Sequence, residues 1–247
     1  MFDKLKLKLT LAAHRTYGSN QIKYIFQRNR SSDILLVVFS GFPAKDEPAR
    51  FNYVRTLLSL KVNKLFVLDD FGYQNRGSYY LAGRSHNVKL QDEIRALIEL
   101  CRGKKRLVTA GSSKGGTAAL LYGLCCDADA IIVGAPQYYI GNYLSRDDHV
   151  EILKSICGDA TQQSIDYLNR ILSDHIKEAR NKKTKIYIHC SPLEHTYIDH
   201  VQDLIKYLLE CGFDVEKNLD SRYTQHDLVG HYFSRYLFDT LERIIDT

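Results

Sequence analysis

The sequence predicts an α/β fold in which a mostly parallel central sheet of about eight strands carries helices on both faces. Short apolar segments rich in β-branched residues alternate with helix-like segments along most of the chain. The 247 residues, 45% of them hydrophobic, suit one domain with a substantial core. A glycine-rich turn between a strand and a helix lies near the middle of the chain. We therefore expect a single domain over residues 1–247.

Two patterns predict the strands. Alternation of apolar and polar residues predicts half-buried strands at 4–12 and 21–27, which we expect to pair in antiparallel fashion. Continuous apolar runs predict strands that are buried on both faces. These runs cover residues 34–40 and 64–68, and further strands are predicted at 106–110, 130–133, 185–190 and 213–217.

Helical periodicity accounts for most of the remaining chain. The predicted helices cover residues 48–60, 88–102, 117–124, about 196–210 and 227–245. A loop rich in glycine and tyrosine covers residues 71–83. The region from about 137 to 183 has no strand pattern, and we expect a helical lid insertion there.

The central glycine-rich turn reads Gly111-Ser112-Ser113-Lys114-Gly115-Gly116. A G-x-S-x-G pattern between a strand and a helix is typical of the nucleophile elbow of serine α/β-hydrolases. Glycines two residues before and after the serine remove side chains that would clash in this turn. The spacing places the nucleophile at Ser113. On the pattern alone an ordinary glycine-rich turn stays open, whereas a P-loop requires lysine where Thr117 stands.

The strand order supports the elbow. An antiparallel pair followed by alternating strands and helices is the order of the α/β-hydrolase fold, and the elbow follows the fifth predicted strand. In that fold the acid and the histidine come later in the chain than the serine. Glu194 is the first carboxylate after the seventh strand, with Asp199 as a second candidate. His226 follows the eighth strand.

These residues have defined roles in acyl transfer. His226 would accept the Ser113 proton, and Glu194 would hold the imidazole in the required tautomer. Ordinary helix-end roles for Glu194 and His226 stay open. The oxyanion hole would use the backbone N–H groups of Phe42 and Lys114, and Gly41 would let a substrate approach the backbone. We expect the Lys114 side chain to be solvated rather than to contact an anionic substrate.

Tyrosines in the region after the sixth strand suggest a ligand. Tyr138, Tyr139 and Tyr143 could stack on a sugar or could simply pack the lid. We assign them to substrate binding and keep the packing role open. His195 and His200 lack a third ligand and an HExxH pattern, so we expect no metal site. The chain carries no cofactor signature, and we expect no cofactor.

Composition argues against nucleic-acid binding, a disulfide framework and a transmembrane span. The net charge of +5 is spread along the chain, which does not favour nucleic-acid binding. The six cysteines have no framework spacing and are interpreted as reduced, mostly buried thiols of a cytoplasmic protein. No apolar run is long enough to predict a transmembrane span, and the N-terminal residues lack the apolar core of a signal peptide.

Three motifs resemble a known group of proteins. The first is GSSKGG after the fifth strand, and the second is the segment 39–42 after the third strand. The third is the segment 134–137 followed by the segment 141–144. They resemble α/β-hydrolase proteins of bacterial glycan loci, namely the XcbB/CpsF-type capsule biosynthesis proteins and the hydrolase-like component of the accessory Sec system. The resemblance runs from about residue 33 to the C-terminus. It implies a Ser-Glu-His triad at Ser113, Glu194 and His226, carbohydrate O-acetylation, and association with glycan-biosynthesis proteins.

The sequence thus predicts a serine-dependent acyl-transfer enzyme that acts on a carbohydrate or glycan, with a small-molecule or glycan acyl substrate. It would be an O-acetyl esterase or an O-acetyltransferase working through acyl-Ser113. Esterase and transferase share the same triad, so both stay open. Two other functions are also considered. One is a catalytically silent accessory protein of a glycan or capsule system, and the other is a thioesterase or lipase-like hydrolase.

Overall fold

The computed structural model describes residues 2–44, 47–82 and 89–246. Within them, eight strands form one sheet. The strands are β1 (Arg15–Tyr17), β2 (Ile22–Gln27), β3 (Ile34–Phe39), β4 (Asn63–Val67), β5 (Arg106–Ser112), β6 (Ala130–Gly134), β7 (Lys185–Cys190) and β8 (Asp214–Leu219).

The sheet order is β1-β2-β4-β3-β5-β6-β7-β8. Strands β1 and β2 pair antiparallel, and β2 also runs antiparallel to β4. The pairs from β4 through β3 to β8 are parallel. The predicted mostly parallel sheet with an antiparallel start is confirmed.

Eight helices precede, separate or follow these strands in the described part of the chain. They are α1 (Phe2–Ala12), α2 (Leu90–Arg102), α3 (Lys114–Cys125), α4 (Ile140–Leu144), α5 (Val150–Cys157), α6 (Gln162–Glu178), α7 (Gln202–Glu210) and α8 (Val229–Ile245). Short 3-10 segments lie at Tyr73–Asn75 and His226–Leu228, and a π-helical turn lies at Tyr197–Val201. The predicted helix 88–102 begins at residue 90, and residues 83–88 lie outside the described ranges.

Helices cover both faces of the sheet. Successive side chains of a strand point to opposite faces. In β6, the Ile131 side chain meets Gly123 of α3, whereas a Cβ at Gly134 would meet Phe233 of α8. Residues 131 and 134 differ by an odd number, so α3 and α8 pack on opposite faces. The core therefore lies in two layers on either side of the buried strands.

The N-terminal segment differs from the prediction. Residues 4–12 were expected to form a strand, but they lie within helix α1. Lysine and leucine both have high helix propensity, which outweighs their alternation. Leu7 packs on the core, and Thr10 accepts a hydrogen bond from the Gln27 side chain at 3.1 Å. The antiparallel partner of β2 is instead β1.

The predicted helix at 48–60 is also wrong. This segment forms a series of turns, for example the hydrogen bonds from Leu57 N to Tyr53 O and from Leu60 N to Leu57 O. Val54, Leu57 and Leu60 are buried at helical spacing, which explains the periodicity. Tyr53 has a positive φ of 60°, which interrupts a regular helix at that point.

Helices α4, α5 and α6 follow β6 and occupy the region that was expected to be helical. They share a second apolar cluster with Tyr79 of the loop after β4. Gly158 ends α5 in the left-handed region with φ 87°, and Thr161 caps α6 by accepting from Ser164 N. Whether this unit acts as a lid stays a prediction.

Two further expectations concern the whole chain. All six cysteines are free thiols; Cys126 and Cys190 are buried and the other four are half-buried, so the expectation of mostly buried thiols is only partly met. Among the described residues, every helix is too short or too polar to cross a bilayer.

The elbow depends on close backbone packing. A Cβ at Gly111 would lie 2.2 Å from the Gly115 carbonyl oxygen. A Cβ at Gly115 would lie 2.5 Å from the Phe39 carbonyl oxygen. Both distances are far below van der Waals contact, and the atoms met are backbone atoms that cannot rotate away. The turn between β5 and α3 can therefore approach β3 only without these side chains.

This packing predicts a contrast between two helical glycines. We expect Gly115→Ala to destabilise the protein by about 2–3 kcal/mol, because the new methyl group overpacks against β3. Gly230→Ala in α8 is the matched control, since its nearest neighbour would be the Tyr53 hydroxyl at 3.7 Å. It should be neutral or stabilising by about 0.5 kcal/mol. Urea unfolding measures both, and equal midpoints would contradict the packing account.

Candidate active site

Ser113 occupies a strained backbone conformation between β5 and α3. Its φ of 53° and ψ of −128° lie outside the common regions for a residue with a side chain. Its N–H donates to the Gly134 carbonyl oxygen at 2.8 Å, and its carbonyl oxygen accepts from Gly116 N and Thr117 N. Strain that is held by surrounding hydrogen bonds is a common property of functional turns.

His226 reaches Ser113 from the loop after β8. Its Nε2 lies 2.8 Å from Ser113 Oγ, and its Nδ1 lies 2.6 Å from Glu194 Oε1. Glu194 follows β7, so all three side chains come from the carboxyl ends of parallel strands at one edge of the sheet. The structure brings together the three residues that the sequence selected. With Nδ1–H donating to Glu194, Nε2 is left to accept the serine proton.

Glu194 is buried, with 1% of its surface exposed. Burial on its own raises the pKa of a carboxyl group, but hydrogen bonds from His226 and Thr196 and the nearby imidazole charge outweigh it. The pKa of Glu194 is therefore lower than its usual value, and the group is an anion at neutral pH. A fixed anion beside Nδ1 stabilises a protonated imidazole.

The alternative acid and the two histidines that were considered as metal ligands lie outside the triad. Asp199 is half-exposed and pairs with Arg146 at 3.0 Å, so it is not the partner of His226. His195 lies 3.2 Å from the same arginine. His200 is buried, where its Nδ1 accepts from Tyr139 N, and burial lowers its pKa to about 4.

One predicted oxyanion donor, Phe42, follows β3, and the other, Lys114, belongs to the elbow itself. Gly41 packs against it, since a Cβ there would lie 3.5 Å from the Ser112 carbonyl oxygen. The Gly41 N–H donates to the Asn52 side chain at 2.9 Å. The next amide, Phe42 N, and Lys114 N have no acceptor within the described part of the chain. Their role as oxyanion donors stays a prediction.

The expectation that the Lys114 side chain is solvated is wrong. It is fully buried, and its Nζ lies 2.7 Å from Asp69 Oδ2, which is equally buried. The ammonium also lies 5.2 Å from the centre of the Phe42 ring and 5.1 Å from that of Tyr80. The sequence missed this pair because Asp69 is 45 residues away, at the end of a different strand.

Asp69 connects the loop after β4 to the elbow. Its Oδ2 also accepts from Ser78 N at 2.9 Å and from Tyr80 N at 3.0 Å. Burial lowers the pKa of Lys114, and the Asp69 charge and hydrogen bond oppose that effect. The ion pair thus fixes the loop, the Phe42 ring and the first residue of α3 relative to each other.

Gln137 is a site residue that the sequence analysis did not assign. It is fully buried, and its Nε2 lies 2.8 Å from Ser113 Oγ and 3.4 Å from His226 Nε2. The available signal was its place just after β6, at the sheet edge that carries Ser113. Thr196 was also missed. Its hydroxyl lies 3.0 Å from His226 Nδ1, and its hydrogen bond to Glu194 lowers the pKa of that carboxyl group.

The three predicted tyrosines lie in different surroundings. Tyr138 packs against Tyr139 and against Tyr207 of α7. The Tyr139 hydroxyl donates to Asp203 at 2.9 Å. Tyr143 stacks on the Phe42 ring with centroids 6.3 Å apart. Tyr143 is therefore linked to the elbow through Phe42, and a role of the three in substrate binding stays a prediction.

Within residues 2–44, 47–82 and 89–246, no group of three or more histidine, cysteine, aspartate or glutamate side chains is placed to hold a metal ion.

Comparisons with known proteins agree with this architecture. A capsule O-acetyltransferase of Neisseria meningitidis serogroup A is 26% identical, with a TM-score of 0.78 over 94% of each chain. A variant of that protein, in which one histidine is replaced by alanine, was solved in complex with CoA and is 24% identical, with a TM-score of 0.77 over 94% of this chain and 96% of that one. No significant match is found among curated protein sequences.

More distant structures share the fold alone. A glycosylation-associated protein complex (Gap123) from Streptococcus agalactiae is 18% identical with a TM-score of 0.74, over 95% of this chain and 47% of that one. An S-formylglutathione hydrolase from Agrobacterium tumefaciens is 12% identical with a TM-score of 0.67, over 94% of this chain and 93% of that one.

One family model matches most of the chain. The family described as accessory Sec system GspB-transporter matches residues 10–217. The match covers the elbow at Ser113 and the acid at Glu194, and it confirms the resemblance found in the motifs. The chain therefore belongs to the GspB-transporter family of the accessory Sec system and has an α/β-hydrolase fold.

Proposed function

We propose that this protein is a serine-dependent acyl-transfer enzyme that adds or removes O-acetyl groups on a carbohydrate through an acyl-Ser113 intermediate. The observation that carries the proposal is the unbroken hydrogen-bond chain from Glu194 through His226 to Ser113, with distances of 2.6 and 2.8 Å. Such a chain supports nucleophile activation in acyl transfer.

In the first half-reaction, Ser113 Oγ attacks the carbonyl carbon of the acyl donor while its proton moves to His226 Nε2. The new bond joins Oγ to the acyl carbon, and the carbonyl oxygen becomes an oxyanion. The N–H groups of Phe42 and Lys114 stabilise that oxyanion. The bond to the leaving group then breaks, and the leaving group takes the proton from His226.

In the second half-reaction, an acceptor hydroxyl approaches the acyl-enzyme. Its proton moves to His226 Nε2 as its oxygen attacks the acyl carbon. The bond from Ser113 Oγ to the acyl carbon breaks, and Oγ recovers the proton from His226. A sugar hydroxyl as acceptor gives transfer, and water gives hydrolysis.

The relatives favour acetyl transfer to a glycan. The capsule enzyme named above is an O-acetyltransferase, and its CoA complex makes acetyl-CoA the donor to test first. Tyr143 together with Phe42 would offer an aromatic surface to a sugar ring. Tyr138, Tyr139 and Gly41 complete the proposed substrate-binding set.

The lid, the location and the partners are part of the same proposal. We propose that α4 to α6 cover the site as a lid. The six free thiols favour the cytoplasm. The Gap123 structure is a complex of glycosylation-associated proteins, which supports association of this chain with such proteins.

Fluorophosphonate labelling tests the nucleophile. We expect one adduct, on Ser113, located by mass spectrometry of peptides. Ser113→Ala should abolish it, and His226→Ala should slow it by about 1,000-fold or more. Ser112→Ala is the matched control, because Ser112 is buried against Tyr53, and its labelling should persist. Folded wild-type protein that stays unlabelled would speak for a catalytically silent accessory protein.

Acyl-chain preference separates the proposed enzyme from a thioesterase or lipase. The side chains that contact Ser113 Oγ, Gln137 and His226, are polar, and Gln137 is also hydrogen bonded to the Tyr79 hydroxyl at 3.2 Å. We expect p-nitrophenyl acetate to be turned over at least about 10-fold faster than the octanoate, because an octanoyl chain needs an apolar slot. Acetyl-CoA with a glycan acceptor should give O-acetylated product. Faster turnover of the octanoate would favour the lipase-like function.

A further inference from the structure

Gln137 is held rigidly at both ends. Its backbone N–H donates to Thr117 Oγ1 at 2.9 Å, and its carbonyl oxygen accepts from the same hydroxyl at 2.9 Å. Thr117 lies one turn along α3 from Ser113. The side-chain Oε1 accepts from the Tyr79 hydroxyl at 3.2 Å. In this arrangement the amide nitrogen, rather than the oxygen, faces Ser113.

The amide group can only donate to Ser113 Oγ. A side-chain NH2 has two hydrogens and does not act as an acceptor. The serine oxygen therefore accepts from Gln137 at 2.8 Å, and its own proton is left for His226 Nε2 at 2.8 Å. This arrangement turns the hydroxyl toward the base before any substrate binds. As the proton moves to His226, Oγ accepts from Gln137 with one lone pair while another attacks the acyl carbon.

The same amide lies within reach of a second oxygen. Any acceptor hydroxyl must donate its proton to His226 Nε2, and Gln137 Nε2 lies 3.4 Å from that atom. A hydroxyl oxygen has two lone pairs, so one can attack the acyl carbon while the other accepts from Gln137. The Ser113 oxygen and the acceptor oxygen would thus be bound in turn by the same two side chains, His226 and Gln137.

We propose that Gln137 is a further catalytic residue, whose Nε2–H donates to Ser113 Oγ during acylation and to the acceptor oxygen during acyl transfer. This inference rests on the proposed function. In the first step the Ser113 proton goes to His226 as Oγ bonds to the acyl carbon; the bond to the leaving group then breaks, and the leaving group takes that proton. In the second, the acceptor oxygen bonds to the acyl carbon as its proton goes to His226; the bond from Oγ to the acyl carbon then breaks, and Oγ takes the proton from His226. Gln137 keeps its protons in both.

Two substitutions remove the donor in different ways. Gln137→Ala removes the whole amide, and Gln137→Glu keeps the volume and the acceptor for Tyr79 but offers no N–H. Gln91→Ala is the matched control, since Gln91 is a half-buried glutamine of α2 that donates to the Leu81 carbonyl oxygen. Thermal unfolding of each variant establishes that it is folded.

The rate of Ser113 labelling by a fluorophosphonate and the two phases of p-nitrophenyl acetate turnover, with glycerol added as acceptor, are then compared. We expect both Gln137 variants to label roughly 10- to 100-fold more slowly and to slow the burst and the steady-state phase alike. Gln91→Ala should match the wild type. Wild-type rates in both Gln137 variants overturn the inference, whereas a wild type that neither labels nor turns over ester overturns the proposed function itself.

Discussion

The site depends on one steric constraint, the contact of three backbone segments at the end of β5. Gly111, Gly115 and the end of β3 approach so closely that no side chain fits between them. That approach holds Ser113 at positive φ, which points its hydroxyl out from the sheet edge. It also leaves the Lys114 amide at the start of α3 without an acceptor in the described chain. Nucleophile and oxyanion donor are therefore products of the same turn.

The buried pair of Asp69 and Lys114 contributes position more than stability. An exposed ion pair contributes about 0–1 kcal/mol, and a buried pair can often be replaced by apolar residues without loss. Removing only one partner is different and costs about 3–5 kcal/mol, because a charge is left buried alone. Lys114 is adjacent to the nucleophile, and its ammonium contacts the Phe42 ring. The pair thus aligns the two residues whose amides are proposed to bind the oxyanion.

Much of the fold and of the site could be predicted from the sequence, for reasons that are local. The glycines around Ser113 are visible in the local sequence, and they are required because the backbone packs closely there. Ser113, Glu194 and His226 could be selected because each follows a parallel strand and these strands all end at one edge of the sheet. Residues 4–12 were misassigned because the high helix propensity of lysine and leucine outweighs their strand-like alternation. Asp69 and Gln137 were missed because their roles come from contacts between distant segments, which no local pattern records.

A crystal structure of the protein phosphonylated on Ser113 tests the central claim most directly, because the phosphonyl group stands in for the tetrahedral intermediate. If Ser113, His226 and the two amides form one site, we expect a phosphonyl oxygen about 2.7–3.1 Å from both the Phe42 and the Lys114 amide nitrogens. It also predicts that His226 remains hydrogen bonded to Glu194 and directed at Oγ. A phosphonyl oxygen that points away from both amides, with the imidazole turned from Ser113, would contradict it.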